Sequence, residues 1–256
     1  MATDATIGRR WSEIRFARGA AFVVRELALW ASFYGAYLLL RSLVVADETT
    51  AVENGLRIVT AEERIGVAAE ALAQDAAAPA GGLFGAYYMI GFAPVVAGTC
   101  LWLSLRRRAL YLELRTALLV AIGLALVVHA VFPAAPPRLV GELGIADTVG
   151  LGGHDADSFL GVPFNPYAAM PSMHVGWSLL VALALRRALR PGAVRQLATL
   201  HPVVMAATVT ATGNHYFLDS AAGVLVALTA VACIAQVRKL RLQHGADGVR
   251  ALASVG

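Results

Sequence analysis

Six apolar segments, each close to the length of a membrane-spanning helix, constrain the fold more than any other feature of this chain. Crossing a bilayer takes about twenty predominantly apolar residues. Hydrophobic residues make up 58% of the chain and charged residues only 15%, whereas a soluble domain carries about 25% charged residues. The sequence therefore predicts an all-α, polytopic membrane protein with six transmembrane helices, at residues 22–45, 82–104, 112–132, 173–189, 194–213 and 216–237.

The distribution of arginine and lysine predicts how these spans are oriented. Cytoplasmic loops carry an excess of both residues. Four basic clusters fall on one side of a six-span layout: in the amino tail, between spans two and three, between spans four and five, and in the carboxyl tail. We therefore expect a cell-membrane protein with both termini cytoplasmic. The loops at residues 46–81 and 133–172, and the corner at 213–216, then face outward.

The same layout predicts the domain organisation. Residues 1–21 form a cytoplasmic amino tail, 22–240 a six-span membrane domain and 241–256 a cytoplasmic carboxyl tail. The first twenty residues contain arginines but no apolar core, which favours a retained tail over a signal peptide. The net charge of +4 follows from this topology and gives no reason to expect nucleic acid as a partner. Oligomeric state stays open.

An amphipathic helix is expected in the first outer loop. Between Ala51 and Ala73 the apolar residues recur at helical spacing, with glutamates on the other face, a pattern typical of a helix lying on a membrane surface. Glu62 and Glu63 are expected on the solvated polar face of this helix. The alternative is that they reach toward a functional site.

His215 and Asp219 are the strongest candidates for chemistry. They stand four residues apart at the start of the last apolar segment, and this offset places two side chains on one face of a helix. The carboxylate would then hold one ring nitrogen as N–H and leave the other nitrogen basic and directed outward. That arrangement suits a nucleophile or a general base.

Two further candidates fall on the same predicted face. Arg138 follows Pro136 and Pro137, which stiffen the backbone, and a guanidinium pairs with two phosphate oxygens at once. Ser172 is well suited to cap a helix that begins beside His174, and helix amino termini bind anions. His174 would donate a proton to a leaving oxygen. Taken singly, Arg138 is equally explained as an interfacial arginine that contacts lipid head groups. A lone histidine such as His174 is better explained as a polar residue at the membrane interface.

Other polar residues carry less weight. His129 would support the site indirectly or, more simply, pack through a hydrogen bond, and we interpret His201 as structural. His154 with Asp155 and Asp157 resembles a fragment of a metal site, but it lacks partners at ligand spacing and is expected to be a solvated loop. No nucleotide-binding glycine motif is present.

Two stretches carry a resemblance to a known family. Residues 165–174 (Asn-Pro-Tyr-Ala-Ala-Met-Pro-Ser-Met-His) and 213–219 (Gly-Asn-His-Tyr-Phe-Leu-Asp) resemble the type 2 phosphatidic acid phosphatase superfamily. Within it the chain is most similar to the branch that contains the inositol phosphorylceramide synthases and their bacterial relatives. The Pro-Pro-Arg element that ends at Arg138 and the six-span layout also resemble that branch.

The resemblance implies a metal-independent reaction, without a cofactor, through a phosphohistidine. His215 would attack phosphorus, Asp219 would orient and charge-stabilise it, and His174 would protonate the leaving oxygen. A helix amino terminus would help to bind the non-bridging oxygens. The remaining candidates for substrate binding are Arg138, Asn165, Ser172, Asn214 and Tyr216.

Three departures from the superfamily pattern bear on the reaction. Val131 and Val209 stand where the phosphatases carry a lysine and an arginine, and Met173 replaces a glycine. Fewer cations stabilise less negative charge, which favours a phosphodiester substrate, and Asn214 would supply a neutral donor in place of an arginine.

We therefore expect transfer of a phosphoryl-linked head group from a phospholipid to a polyol or lipid alcohol. Hydrolysis of a lipid or polyprenyl phosphate is the enzymatic alternative. A lipid transporter or scaffold is the alternative from another class, but it would place charged residues deep in several spans.

Overall fold

The computed structural model describes residues 19, 21–39, 47–151, 158–159, 162–163 and 165–253. The chain divides into two compact units, Met1–Val45 and Ala46–Gly256. Most of the predicted amino tail, with its arginines at positions 9 to 18, lies outside the described residues. So does the expected loop at His154, Asp155 and Asp157.

Helices make up most of the described chain, as the apolar segments predict. Their bounds are α1 Ala21–Leu39, α2 Glu48–Ile65, α3 Glu70–Ala77, α4 Gly81–Ile90, α5 Ala93–Arg106, α6 Arg108–Val131, α7 Met173–Ala188, α8 Ala193–Ala211 and α9 Phe217–Ala253. Short 3-10 turns occupy Ala78–Ala80, Pro137–Leu139 and Gly141–Leu143, and a two-residue hairpin pairs Ser158–Phe159 with Val162–Pro163.

Four helical stretches are long and apolar enough to cross a membrane. They are Ala21–Leu39, Glu70–Arg106, Arg108–Val131 and Phe217–His244. The other two predicted spans correspond to α7 and α8. α7 has only 16 residues, fewer than a bilayer ordinarily requires, and α8 contains Pro202 among several polar residues. The structure thus supports an all-helical membrane protein with four candidate spans, and the count of six stays a prediction.

The predicted outer helix is two helices. Gly66 adopts a left-handed conformation with φ 74° and ends α2, a conformation that glycine reaches at little cost. Asp47 caps the amino end of α2 by accepting a hydrogen bond from Thr50 N. Glu63 is exposed, but the expectation of a solvated Glu62 is wrong. Its side chain is fully buried, because it turns toward the start of α9.

α2 docks onto the loop that precedes α7. The backbone N–H of Ala135 donates to the carbonyl of Ala51 at 2.9 Å, and the Asn54 amide donates to the carbonyl of Pro133 at 2.8 Å. Buried side chains close the contact, in two clusters formed by Ala51, Ala135, Leu139, Val140 and Tyr167 and by Ile58, Ala134, Ala169 and Tyr216. These contacts fix α2 and the loop that precedes α7 beside the amino ends of α7 and α9.

α7 and α9 approach most closely where both lack side chains. A Cβ added at Gly223 would lie 2.2 Å from the carbonyl oxygen of Ser172, and one added at Gly176 would lie 2.8 Å from the carbonyl oxygen of Gly223. Backbone cannot yield as a flexible side chain does. The pair therefore sets the distance between the amino ends of the two helices.

Gly223→Ala is expected to destabilise the fold by about 1–3 kcal/mol, because relieving the overlap with Ser172 must separate the helices. Thermal unfolding in detergent measures the loss. Gly123→Ala is the matched control, since no atom lies within 4 Å of the added Cβ, and it should be neutral or slightly stabilising. Equal melting temperatures for the two variants would contradict the close approach.

Candidate active site

A tight turn between α8 and α9 presents His215. Gly213 has φ 70°, and the backbone N–H groups of Asn214 and His215 both donate to the carbonyl of Val209, at 2.9 and 3.1 Å. A Cβ at Gly213 would lie 2.7 Å from Ile145, so the position excludes a side chain on steric as well as conformational grounds. The backbone of His215 is therefore fixed in position just beyond the end of α8.

The His215 ring is held through its Nδ1 atom. Nδ1 lies 2.8 Å from the carbonyl oxygen of Ala169 and 3.3 Å from Oδ2 of Asp219. A carbonyl oxygen only accepts hydrogen bonds, so Nδ1 carries the proton and, in the neutral ring, Nε2 carries the lone pair. The backbone of Ala169 is itself fixed, because its N–H donates to Ala134 O at 3.2 Å.

His174 faces the other nitrogen of the same ring. It lies in the first turn of α7, and its Nδ1 is 3.4 Å from Nε2 of His215. Because that Nε2 accepts, Nδ1 of His174 is the donor in this contact. The rings of Tyr88 and Phe92 pack against His174, with centroids 4.8 and 4.3 Å away. Two histidines separated by 41 positions thus meet with a proton between them.

Asp219 lies behind His215 and is completely buried. Its Oδ2 also accepts the backbone N–H of Tyr216 at 3.0 Å, and its carbonyl accepts the N–H of Ser172 at 2.9 Å. The expectation that His215 and Asp219 share one helical face is wrong in detail. α9 begins at Phe217, so His215 precedes the helix, and Asp219 meets it by folding back over the first turn.

Arg138 is tied to the turn that carries His215. Its backbone N–H donates to Gly213 O at 3.0 Å, and its Nε donates to Oδ1 of Asn214 at 3.0 Å. Nη1 lies 3.7 Å from Oδ2 of Asp147, and only 2% of the side chain is exposed. Burial lowers the pKa of Arg138, and Asp147 opposes that shift; a guanidinium stays charged in either case.

The other predicted binding residues mainly organise backbone in the described structure. Ser172 caps α7, as expected, with its hydroxyl oxygen 3.5 Å from Val175 N. Asn165 accepts the N–H of Tyr167 at 3.0 Å. The Asn214 amide donates to Oγ1 of Thr212 at 2.9 Å while its oxygen accepts from Arg138. The Tyr216 hydroxyl donates to Ala135 O at 3.0 Å, and its side chain is fully buried.

Two carboxyl groups lie beneath the site, and of these the sequence offered only Glu62, as the alternative in which it reaches toward a functional site. Glu62 accepts the N–H of Leu218 at 2.6 Å, and Glu70 accepts the N–H of Phe217 at 3.3 Å. Asp219 accepts the N–H of Tyr216 in the same way. Three acidic side chains therefore accept hydrogen bonds from three consecutive backbone N–H groups at the start of α9. Both glutamates lie about 150 positions away in sequence, so no local spacing could reveal them.

Three carboxylates this close repel one another, and the structure indicates where a proton relieves the charge. Burial raises the pKa of Glu62 to about 9, and a hydrogen bond with Glu70 adds to the shift. Oε2 of Glu62 accepts no hydrogen bond from the described residues. A proton on this oxygen, donated to the Glu70 carboxylate, satisfies both groups.

Glu62→Gln should retain the fold and change its pH dependence. Because the pKa of Glu62 in the folded state lies above its ordinary value of 4.5, the stabilisation is complete below that value and is lost as pH rises through about 9. Glutamine keeps the bond from Leu218 and cannot ionise. Between pH 6 and 9 the melting temperature of wild type should therefore fall several degrees further than that of the variant.

The exposed neighbour supplies the control for this prediction. Glu63→Gln removes a carboxylate one position away on the solvated face of α2, and its melting curve should follow wild type at each pH. Parallel pH profiles for wild type and Glu62→Gln would show that Glu62 is charged in the folded protein.

The remaining histidines have separate places. His201 is buried in α8 with Nδ1 2.6 Å from the Tyr87 hydroxyl, a contact that fits the structural role expected for it. His129 contacts the backbone of Pro171 and lies within electrostatic range of His215. In the described part of the chain, no group of three or more histidine, cysteine or acidic residues is arranged to hold a metal ion.

Comparison with known proteins gives one match. The model of the PAP2 superfamily matches residues 56–233, which include both histidines, Asp219 and Arg138. Comparison with curated proteins and with solved structures found no match. Membership of this superfamily indicates phosphatase or phosphotransferase activity on lipid phosphates, in agreement with an apolar, helical chain. With most of its length covered by that match, the chain belongs to the PAP2 superfamily.

Proposed function

We propose that this protein is a membrane phosphotransferase that moves a phosphoryl-linked head group from a phospholipid to an alcohol acceptor, with His215 as the nucleophile. The observation that carries the proposal is the orientation of the His215 ring. Its Nδ1 is bound to Ala169 O at 2.8 Å, and its Nε2 lies 3.4 Å from Nδ1 of His174. A lone pair and a proton donor therefore face the same space.

In the first step, Nε2 of His215 attacks phosphorus and an N–P bond forms. His174 enters this step as the imidazolium, with a proton on each ring nitrogen. The bond from phosphorus to the lipid oxygen breaks, and that oxygen takes the proton from Nδ1 of His174, which becomes neutral. A diacylglycerol-type alcohol leaves, and the phosphoryl-linked head group stays on His215. Protonation of the leaving group contributes roughly 10² to 10⁴ in rate.

Asp219 and Ala169 support this step from behind the ring. Attack leaves the imidazole of His215 with a positive charge, and the buried Asp219 carboxylate at 3.3 Å stabilises it. The Ala169 carbonyl fixes Nδ1 as the protonated nitrogen before the substrate arrives. Electrostatic groups set in place in advance are the strongest source of rate enhancement in sites of this kind.

Arg138 and the amino end of α7 are suited to the non-bridging oxygens. The guanidinium is held by Asn214 on the turn that carries His215, so it moves with the nucleophile. The first turn of α7 offers backbone N–H groups and a favourable dipole. Valines at positions 131 and 209 leave the site with fewer cations than the resembled phosphatases, which supports a phosphodiester over a more highly charged phosphomonoester.

In the second step, the acceptor hydroxyl attacks phosphorus, the N–P bond breaks, and His174 takes the proton of the hydroxyl. Both histidines return to their starting forms. Water in place of the alcohol makes the protein a hydrolase, and the superfamily match supports that reaction equally. Resemblance to the inositol phosphorylceramide synthase-like branch favours the alcohol. The arginine distribution favours a site on the extracytoplasmic face of the cell membrane.

The products of one incubation separate the two reactions. Purified protein is mixed with a phospholipid labelled at phosphorus, with and without candidate polyols and lipid alcohols. Transfer places the label in a new ester or lipid only when an acceptor is present. Release of the label solely as phosphate or a free head-group phosphate, whatever acceptor is added, would reject the transferase and leave the phosphatase.

Arg138→Ala should lower kcat/KM by about 10- to 100-fold, because charge-assisted hydrogen bonds to the phosphoryl oxygens are lost. Arg138→Lys keeps the charge but loses the planar fork and the bond to Asn214. Its kcat/KM should therefore lie between those of wild type and Arg138→Ala. Arg64→Ala removes an exposed arginine at the end of α2 and serves as the control. Wild-type kinetics in Arg138→Ala would remove this residue from the mechanism.

A further inference from the structure

A groove of about 860 Å³ opens between α6, α7 and α9, at the end of α7 away from His174. Its walls are apolar and include Leu110, Leu180, Leu183 and Ile234. Thirteen residues separate His174 from Arg187 at the rim, which corresponds to about 20 Å along a helix. The groove is therefore distinct from the candidate active site.

Cations from three helices surround the mouth of the groove, and among the described residues Glu113 is the one carboxylate that lines it. The cations are Arg186, Arg187, Arg195, Arg238 and Lys239. Glu113 pairs with Arg187 and, at 3.5 Å, with Arg238. Within the described residues no carboxylate pairs with Arg186, Arg195 or Lys239. The rim thus carries an excess of positive charge that the protein does not neutralise there.

The combination of apolar walls and an uncompensated basic rim defines one class of occupant. A soluble anion would use the cations but gain nothing from the apolar walls, and a zwitterionic lipid would leave the excess charge in place. Basic pockets between membrane helices bind anionic lipid head groups. We propose that this groove binds an anionic phospholipid, with its phosphate at Arg186, Arg195 and Lys239 and its acyl chains against Leu180, Leu183 and Ile234.

A lipid in this groove would stabilise the helices that carry the site. α7 bears His174 and α9 bears Asp219, and both line the groove. A ligand that binds only the folded protein raises its stability. The effect does not depend on turnover, so the proposal stands or falls independently of the reaction assigned to His215.

Thermal unfolding of the full chain in neutral detergent tests the proposal. Phosphatidylglycerol should raise the melting temperature by about 5 °C or more. Phosphatidylcholine with the same acyl chains, and inorganic phosphate at the same concentration, should not. An equal shift with phosphatidylcholine would overturn the charge argument, and an equal shift with phosphate alone would show that the acyl chains are not bound.

Matched variants locate the effect. The triple variant Arg186→Gln, Arg195→Gln, Lys239→Gln should lose the phosphatidylglycerol shift. Arg106→Gln, Arg107→Gln, Arg190→Gln removes the same charge from exposed positions that do not line the groove, and it should keep the shift. Loss in the control alone, or retention in the groove variant, would overturn the site.

A variant that keeps every cation guards against misfolding of the triple variant. Leu183→Trp narrows the groove and should remove both the thermal shift and the bound lipid mass in native mass spectrometry. Lipid retained in Leu183→Trp contradicts the proposal. A dimer mass that disappears in this variant would show that a second copy of the chain, not a lipid, occupies the groove.

Discussion

Replacing His215 by alanine should abolish lipid phosphate turnover, with a loss of about 10⁴-fold or more, as expected when a covalent nucleophile is removed. No neighbouring group can replace it: His174 presents a proton, and the carboxylate of Asp219 lies behind the ring. The fold should survive, because the change removes only one buried side chain. The Ala169 carbonyl loses its hydrogen-bond partner, and we expect a lower melting temperature as a result. Steady-state rates together with melting curves measure both effects.

His244→Ala is the control for that experiment. His244 is an exposed histidine on α9, the helix that follows His215, and its Nδ1 lies 2.9 Å from the carbonyl oxygen of Leu240. Its loss should leave turnover and melting unchanged. Full turnover in a folded His215→Ala protein would exclude covalent catalysis at this position. It would favour the alternative that the protein is a transporter or scaffold.

Asp219→Asn should slow the reaction about 10²-fold while leaving the fold intact. The amide oxygen can still accept the N–H of Tyr216, so the start of α9 keeps its cap. What is lost is the negative charge opposite the imidazolium. In catalytic triads the same change costs about 10⁴, largely because the histidine adopts the wrong tautomer. Here Ala169 O also holds Nδ1–H, at 2.8 Å, so we expect the smaller effect.

The reaction rates of matched variants show whether Asp219 or the Ala169 carbonyl fixes the tautomer of His215. Glu63→Gln removes an exposed carboxylate and should behave as wild type. A loss in Asp219→Asn as large as that in His215→Ala would show that Asp219, rather than Ala169, sets the tautomer. An unchanged rate would remove Asp219 from the mechanism.

The parts of the site whose signals are local were predictable from the sequence. Ser172 was recognisable as a helix cap, and α7 begins directly after it. The corner expected at residues 213–216 is a turn, and Gly213 within it has φ 70°, a conformation that favours glycine. Features of this kind depend on a few neighbouring residues, so they can be read from the chain.

Features formed by distant or backbone groups could not be read in this way. The Ala169 carbonyl that fixes the His215 tautomer has no signature, because every residue has a carbonyl. Glu62 matched a solvated helical face by spacing, yet it caps α9 at Leu218, 156 positions away. A buried carboxyl group of this kind needs a hydrogen-bond partner from another helix, and its pKa rises only when the assembled helices exclude water from it.

Covalent modification of His215 during turnover is the property that separates nucleophilic catalysis from the other mechanisms most directly. The protein is mixed with a phospholipid labelled at phosphorus, quenched in base and digested, and the peptides are examined by mass spectrometry. We expect a phosphoryl-linked head group on His215 that is stable in base, lost in acid and absent from His215→Ala. Turnover with no label on the protein, or with the label on any other residue, would contradict this expectation.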